Sequence, residues 1–360
     1  MPSHVAPTLT ATSKGALAAS MVVQICIALI VAIYQIVFRT MPSWPAKRIL
    51  VISFMKRLRG LSFEQRRFLF EPSGQAIATF SKSGKLATMP MPIDCGKAAP
   101  EATLYLIRCN TGVDEKVLLF LHGGGYVNSL SAPGHMTFAL RCAGAAQAGS
   151  VAMLEYTLAP ELRYPGQLVQ AAAALNKLLE TYEPGKIILG GDSAGGHLAL
   201  ALLSHLVKPH PQAPIIDLKG GQLGAAFLVS PWVKLRYDAP SYTVNASHDF
   251  LTREAMEEFT RLWKPTRGEV WADPMSGDTT VLQRLPVDAV LLAVGSWEVF
   301  LDDVLELSKV VNAEELGRGA RIELVVSPEE VHDQPVMDCA TNIEGNMLHS
   351  ILSWLKSRAA

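Results

Sequence analysis

The chain has 360 residues, of which 49% are hydrophobic and 18% charged, and its formal net charge is -1. That length allows one large α/β domain or two smaller ones, and the apolar content excludes a disordered chain. The neutral balance removes the electrostatic case for nucleic acid, and five scattered cysteines with no C-x-x-C pair or Cys/His cluster argue for buried free thiols rather than a metal centre or a disulfide framework.

Residues 15–38, GALAASMVVQICIALIVAIYQIVF, contain no charge and lie between Lys14 and Arg39. As a helix they would extend roughly 36 Å, enough to cross the hydrocarbon core of a bilayer with some tilt. The run is long for a signal peptide, and no small-x-small cleavage site follows it. It also lacks the polar stripe of an ordinary core helix. The expectation is a short tail (1–14) and a transmembrane anchor (15–38), with the lipid bilayer as a partner. Arg39, Lys47 and Arg48, then Lys56, Arg57 and Arg59, follow the span and favour a cytosolic body. The sequon Asn245-Ala246-Ser247 favours a lumenal one, so the side of the membrane stays open.

Residues 39–100 read as a linker with helices, MKRLRGLSFEQRRFLFEPSG among them. From 101 onward strands and helices alternate. Short apolar runs predict strands at 103–109, 117–121, 151–156, 186–190, 225–230, 289–294 and 321–326. Helical patterns lie at 166–182, 194–207, 302–316 and 340–357. This rotation implies an α/β fold, a mostly parallel sheet covered by helices on both faces. The stretch 234–285 is too long for a simple crossover and predicts a helical cap, joined by the helices after the anchor.

Two motifs carry chemistry. In KIILGGDSAGGHLALALL a strand meets a helix at Gly191-Asp192-Ser193-Ala194-Gly195, a G-x-S-x-G turn. Such a nucleophile elbow holds the serine hydroxyl over the sheet edge, and the helix N-terminus beneath favours negative charge. In LLFLHGGGYV another strand runs into His122-Gly123-Gly124-Gly125-Tyr126. An acyl-transfer serine needs N–H donors for its oxyanion, and a glycine loop lets a substrate carbonyl touch the backbone. The expected donors are Gly123, Gly124 and Ala194, with His122 bracing the loop. A phosphate loop is excluded by the absence of G-x-G-x-x-G and of a Walker lysine.

HGGGY, EYTLAPELRYP and GDSAGG, in that order over roughly residues 100 to 357, resemble the hormone-sensitive lipase family of α/β-hydrolases. With the anchor in front, the chain also resembles fungal steryl acetyl hydrolase-type enzymes. The resemblance implies the order Ser, acid, His. The acid motif of the family aligns with Glu298-Val299-Phe300-Leu301-Asp302-Asp303, where Glu298 stands in the place of the first Asp and the usual Pro is missing. Asp302 and Asp303 are rivals at the start of a helix. Of the histidines after the acid, His332 lies in the loop EEVHDQP and His349 inside an amphipathic helix, which favours His332 as base. His197 is expected to pack the helix that follows Ser193.

These residues imply a membrane-bound serine esterase of the endoplasmic reticulum. It would use Ser193, Glu298 and His332 without metal or cofactor. Its substrate would be a small hydrophobic ester, an acetylated sterol or terpenoid above all. The apolar cap residues Phe250, Leu251, Met256, Phe259 and Trp263 are candidates to hold the alcohol. An amidase or deacetylase on the same fold is the alternative, and a non-catalytic small-molecule receptor the more distant one. Oligomeric state is not legible.

Overall fold

Eight strands form one sheet in the computed structural model, which describes residues 8, 10–39, 41, 43–58, 60–109, 113–312 and 320–358. Arg59, most of the 1–14 tail and residues 313–316 of the helix expected at 302–316 lie outside the described residues. The strands are β1 (Thr88–Ile93), β2 (Ala102–Arg108), β3 (Val113–Leu121), β4 (Ala148–Glu155), β5 (Ile187–Asp192), β6 (Ala225–Val229), β7 (Ala289–Gly295) and β8 (Arg321–Ser327). Their order is β1-β2-β4-β3-β5-β6-β7-β8. β1/β2 and β2/β4 pair antiparallel and the remaining pairs run parallel. The seven expected strands are present, and β1 is the addition. Its sequence TMPMPI puts Pro90 and Pro92 at alternate positions, which an edge strand tolerates because one row of its N–H groups has no strand to meet.

The helices are α1 (Ala11–Val37), α2 (Ala46–Leu58), α3 (Phe63–Leu69), α4 (Ser73–Ser83), α5 (Thr137–Ala145), α6 (Gly166–Leu179), α7 (Ser193–Val207), α8 (Ser241–Val244), α9 (Arg253–Trp263), α10 (Leu301–Val311), α11 (Gln334–Thr341) and α12 (Asn346–Ser357). Residues of β3 alternate between two cores. Val117, Leu119 and Leu121 face the one that holds α6, α7 and α10, while Leu118 and Phe120 face the one built with α5 and α12. Both faces of the central strands are therefore dry, which is why their sequences are continuously apolar.

The helix expected at 340–357 is two. Asn342 ends α11 in the left-handed region (φ 55°), and the Glu330 carboxylate accepts the N–H groups of Asn346 and Met347 to start α12. The free thiols include Cys95, Cys142 and Cys339, all buried, whereas Cys26 is exposed on α1.

The N-terminal elements form a layer over the C-terminal ends of the strands. α1 is held by a stripe at Leu17, Met21, Gln24, Ala28, Val31 and Gln35, a spacing of four and three residues that lets α2 pack along it. Gln35 Oε1 accepts from Ser53 Oγ of α2 (3.3 Å). Arg48, counted above among the orienting charges, is buried and donates to Asp338 at 3.1 and 3.2 Å. It locks α2 onto α11. Asn245 is also buried, and its amide donates to Ser296 and Glu298 carbonyls. The sequon asparagine is thus sequestered in the folded body.

Candidate active site

Ser193 stands where β5 turns into α7, with φ at 51°. A left-handed serine costs on the order of 1–2 kcal/mol, and the turn is tolerated only where its neighbours are small. A Cβ on Gly195 would lie 2.0 Å from the Leu121 carbonyl oxygen of β3, so no larger residue fits there. The side chain that emerges is 2.9 Å from His332 Nε2.

His332 follows β8 and is brought in by the same sheet edge. Its Nδ1 lies 3.3 Å from Glu298 Oε2, in the loop after β7. Glu298 is fully buried, and its second oxygen accepts from Ser230 Oγ (2.7 Å) and from the Gly295 N–H. Asp302 points elsewhere and accepts the Ser241 N–H of α8 at 2.8 Å. Asp303 pairs with Lys234 at 3.3 Å, and burial pushes its carboxyl up to about 6. His349 is exposed on α12. His197 packs among Tyr126, Trp232 and Trp263, accepts or donates at the Tyr126 hydroxyl (2.5 Å), and burial holds it down at about 4. The structure therefore brings Ser193, His332 and Glu298 together, leaves Asp302, Asp303 and His197 in structural contacts, and puts His349 on the surface.

The glycine loop departs from expectation at one position. The Gly123 N–H donates to Asp192 Oδ2 (3.0 Å) and so is not aimed at the serine. Gly124 and Gly125 line the cavity at Ser193 instead. Gly124 has φ of 111°, which only glycine adopts without strain. Asp192 also meets His135 Nε2 at 3.1 Å, a buried pair that ties the elbow to the segment after the loop. His122 stacks on Tyr156 (centroids 4.4 Å apart), and the Tyr156 hydroxyl donates to the His122 carbonyl. Burial, with His135 close by, pushes the His122 imidazole down to about 3, so it braces the loop as a neutral ring. Tyr126 is buried against Trp263 (4.2 Å).

Two acids escape the sequence reading. Asp249, from the cap segment, accepts the Val299 N–H (2.9 Å) and the His332 N–H (3.4 Å) and so clamps the acid loop to the histidine loop. Burial pushes its carboxyl up to about 6. Asp333, next to His332, places Oδ2 3.2 Å from Nε2 of that ring. Both stand in polar loop sequence, NASHDF and EEVHDQP, where one more acid carries no local signal, and they become informative only once the fold is known.

Ser193 and His332 open into a cavity of about 1260 Å³. Its walls come from the glycine loop, α2 (Val51, Phe54, Met55), α9 (Ala255, Phe259) and the Phe250-Leu251 turn, and Gln24 of α1 also reaches it. Of the five cap residues expected to hold a substrate, Phe250, Leu251 and Phe259 line the cavity. Met256 and Trp263 do not: each is only 2% exposed, and Trp263 Nε1 donates to Gln167 (3.0 Å). They fasten α9 to the body.

Residues 118–335 match the family model described as alpha/beta hydrolase fold. The chain belongs to the α/β-hydrolase fold family. It is a hydrolase of the hormone-sensitive lipase type, similar over 88% of its length to an esterase from the bacterial hormone-sensitive lipase family (TM-score 0.68, 25% identity, all of that chain covered). An acetyl-hydrolase of Streptomyces hygroscopicus is 32% identical over 226 residues, 61% of this chain and 68% of that protein. An arylacetamide deacetylase of Oryctolagus cuniculus is 30% identical over 212 residues, 56% of this chain and half of that protein.

Proposed function

We propose that this hydrolase is a membrane-bound serine esterase that removes short acyl groups, acetyl above all, from bulky apolar alcohols such as sterols or terpenoids. The observation that carries the reading is Ser193 Oγ at 2.9 Å from His332 Nε2, with Glu298 behind the ring and in front a large cavity that has apolar walls from α2, α9 and the Phe250-Leu251 turn and a charged part at Arg57, Arg66, Glu257 and Glu258. The acetyl-hydrolase relative supports a short acyl group, and the esterase neighbour supports an ester bond.

In this mechanism Ser193 Oγ attacks the ester carbonyl while its proton passes to His332 Nε2. Glu298 accepts from Nδ1–H, fixes the tautomer and stabilises the imidazolium. The oxyanion is received by the N–H groups of Gly124, Gly125 and Ala194, because that of Gly123 is engaged by Asp192. Each such donor contributes a factor of about 10² to 10³. The alcohol leaves with the proton from Nε2. Water, deprotonated by the same nitrogen, then releases the acid from Ser193. None of these steps routes through a metal or cofactor.

Membrane attachment is assigned to α1, which is long and apolar enough to cross a bilayer. Its packing on α2 and the place of Gln24 in the cavity wall support an element that is retained rather than cleaved. The endoplasmic reticulum is the membrane in our reading. The test is a competition in detergent micelles between an acetylated sterol, an aryl acetamide and a long-chain triacylglycerol. Preferred release of acetate from the sterol ester is expected. Preference for the triacylglycerol would reject the substrate, and preference for the acetamide would move the reading to a deacetylase.

A further inference from the structure

Relative to the serine mechanism just derived, His332 carries one carboxylate too many. Glu298 occupies the Nδ1 side. Nε2 hydrogen-bonds with Ser193 Oγ at 2.9 Å, and Asp333 Oδ2 stands 3.2 Å from the same nitrogen as an ion-pair neighbour. Asp333 sits at φ 49° immediately after the histidine, and its N–H donates to Ser230 Oγ, the hydroxyl that also serves Glu298. This backbone bond and the left-handed turn fold the Asp333 side chain back over the imidazole edge. Its other oxygen, Oδ1, is buried and meets no hydrogen-bond donor among the described residues. A buried acceptor left without a donor is costly and is an unusual feature beside a reacting nitrogen.

We propose that Asp333 is a positioning residue whose carboxylate, set beside Nε2, favours the protonated His332 ring and thereby raises the pH at which the enzyme switches on. This rests on the reading of His332 as the base.

The charged and titratable groups around His332 are few. Glu298 lies behind it, Asp249 beneath its backbone, Asp333 beside Nε2, and the Asp192–His135 pair stands on the opposite wall. Burial by itself pushes the imidazolium down. The Asp333 carboxylate, followed by Glu298, outweighs burial and holds His332 well above its ordinary value. Burial also raises the Asp333 carboxyl, opposed by the imidazolium. In the resting protonated state the Asp333 charge 3.2 Å away keeps the proton on Nε2, and Ser193 Oγ faces a nitrogen with no free lone pair. Loss of that proton to solvent frees the lone pair, after which the Ser193 proton can move to it. When acylation puts a proton on Nε2 again, Asp333 stabilises the ion pair until the leaving alcohol oxygen takes the proton. The count of protons is unchanged over the cycle. What Asp333 alters is the pH at which the cycle begins.

The sign follows directly. An anionic neighbour favours the protonated ring, so the acidic limb of kcat/KM is displaced upward, and neutralising the neighbour must bring it down. Asp333→Asn is the direct test because Asn tolerates the left-handed backbone. Asp333→Gly, the residue best suited to that φ, supplies a second variant without any side chain. With a neutral water-soluble acetyl ester, both variants should show an acidic limb at least about one pH unit lower than wild type, a roughly tenfold gain at a fixed pH on the limb. The alkaline plateau should fall by less than about tenfold, as for a weaker base. A purely structural role would lower the rate equally at every pH. The His332 ring protons, followed by NMR in Ser193→Ala with and without Asp333→Asn, give a readout independent of turnover and should titrate at lower pH in the double variant. Limbs and titrations that coincide with those carrying Asp333, or move up, overturn the proposal. A Ser193→Ala enzyme that stays active would instead overturn the underlying mechanism.

Discussion

Ser193 is held by a local device, its φ of 51° set by the turn between β5 and α7. The strand, the turn and the helix are contiguous, and the small residues around the turn have no other explanation as good. If it is the nucleophile, Ser193→Ala should leave a folded protein with esterase turnover lowered by at least about a thousandfold, since the three residues act as a unit. Nitrophenyl acetate hydrolysis measures this, and activity within about tenfold of wild type would refute the mechanism. Glu298→Gln should cost orders of magnitude, because the ring loses the acceptor at Nδ1, whereas Asp302→Asn removes only an acceptor for the Ser241 N–H and should cost far less. Gly124→Ala tests the glycine loop. At φ 111° an alanine must distort the loop, so kcat should fall about a hundredfold or more while KM changes little. Other parts of the site are not readable locally. The choice among the three glycines depends on the carboxylate of Asp192, 69 residues further along the chain. Asp249 and Asp333 gain their roles only when three loops converge on one imidazole.

Elements are legible in proportion to how completely the sheet buries them. β5, β6 and β7 are buried along their whole length, and all three read as apolar runs, β5 up to the Asp192 that ends it. β1 does not, because an edge strand needs neither the apolar run nor every N–H. The joint between α11 and α12 is hidden because Asn342 and Gly345 are weak breakers on their own, and the carboxylate that starts α12 comes from Glu330. α9 shows the limit of composition as a guide. Its apolar residues Met256, Phe259 and Trp263 recur at spacings of three and four, so sequence alone puts them on one face. The structure divides that face between two tasks, and substitution should separate them. Trp263→Ala removes a buried ring stacked on Tyr126 and should destabilise the protein by about 3–5 kcal/mol in denaturant unfolding. Phe259→Ala opens the cavity wall and should cost less stability while raising KM for a bulky ester more than for a small one. Equal effects of the two variants on both measures would show that the face is not divided.

At the scale of the molecule the unusual surface is α1. One stripe of it packs against the neighbouring helices, yet Val22, Val23, Ile25, Leu29, Ile30, Ile33, Ile36 and Val37 on its other faces remain exposed, Ile30 by 66%. Removing side chains of this kind from water is worth about 1.5–3 kcal/mol each at full burial, so the sum favouring a bilayer is on the order of 10 kcal/mol or more. The full-length protein should therefore resist extraction by high salt and by alkaline carbonate, and a protein released by either would have no such anchor. A simple tether would predict that removal of residues 1–40 leaves catalysis untouched, because Ser193, Glu298 and His332 all lie downstream. The structure adds a second consequence. Gln24 belongs to the wall of the cavity, and Ala32 packs in a cluster with Ile49, Ile52, Val331 and Met337. Truncation thus removes part of the roof together with the exposed apolar surface of α1. We expect the shortened enzyme to hydrolyse a small water-soluble acetyl ester within about tenfold of the full-length rate, since the reacting groups keep their own supports. Its preference for an acetylated sterol over that small ester should fall by about tenfold or more, a loss of roughly 1.4 kcal/mol in relative transition-state binding. Both proteins must be assayed in the same detergent, so that partitioning of the sterol into micelles is equal and only the cavity differs. A preference that survives truncation unchanged would assign α1 to attachment alone and leave α2, α9 and the Phe250 turn as the whole of the alcohol site.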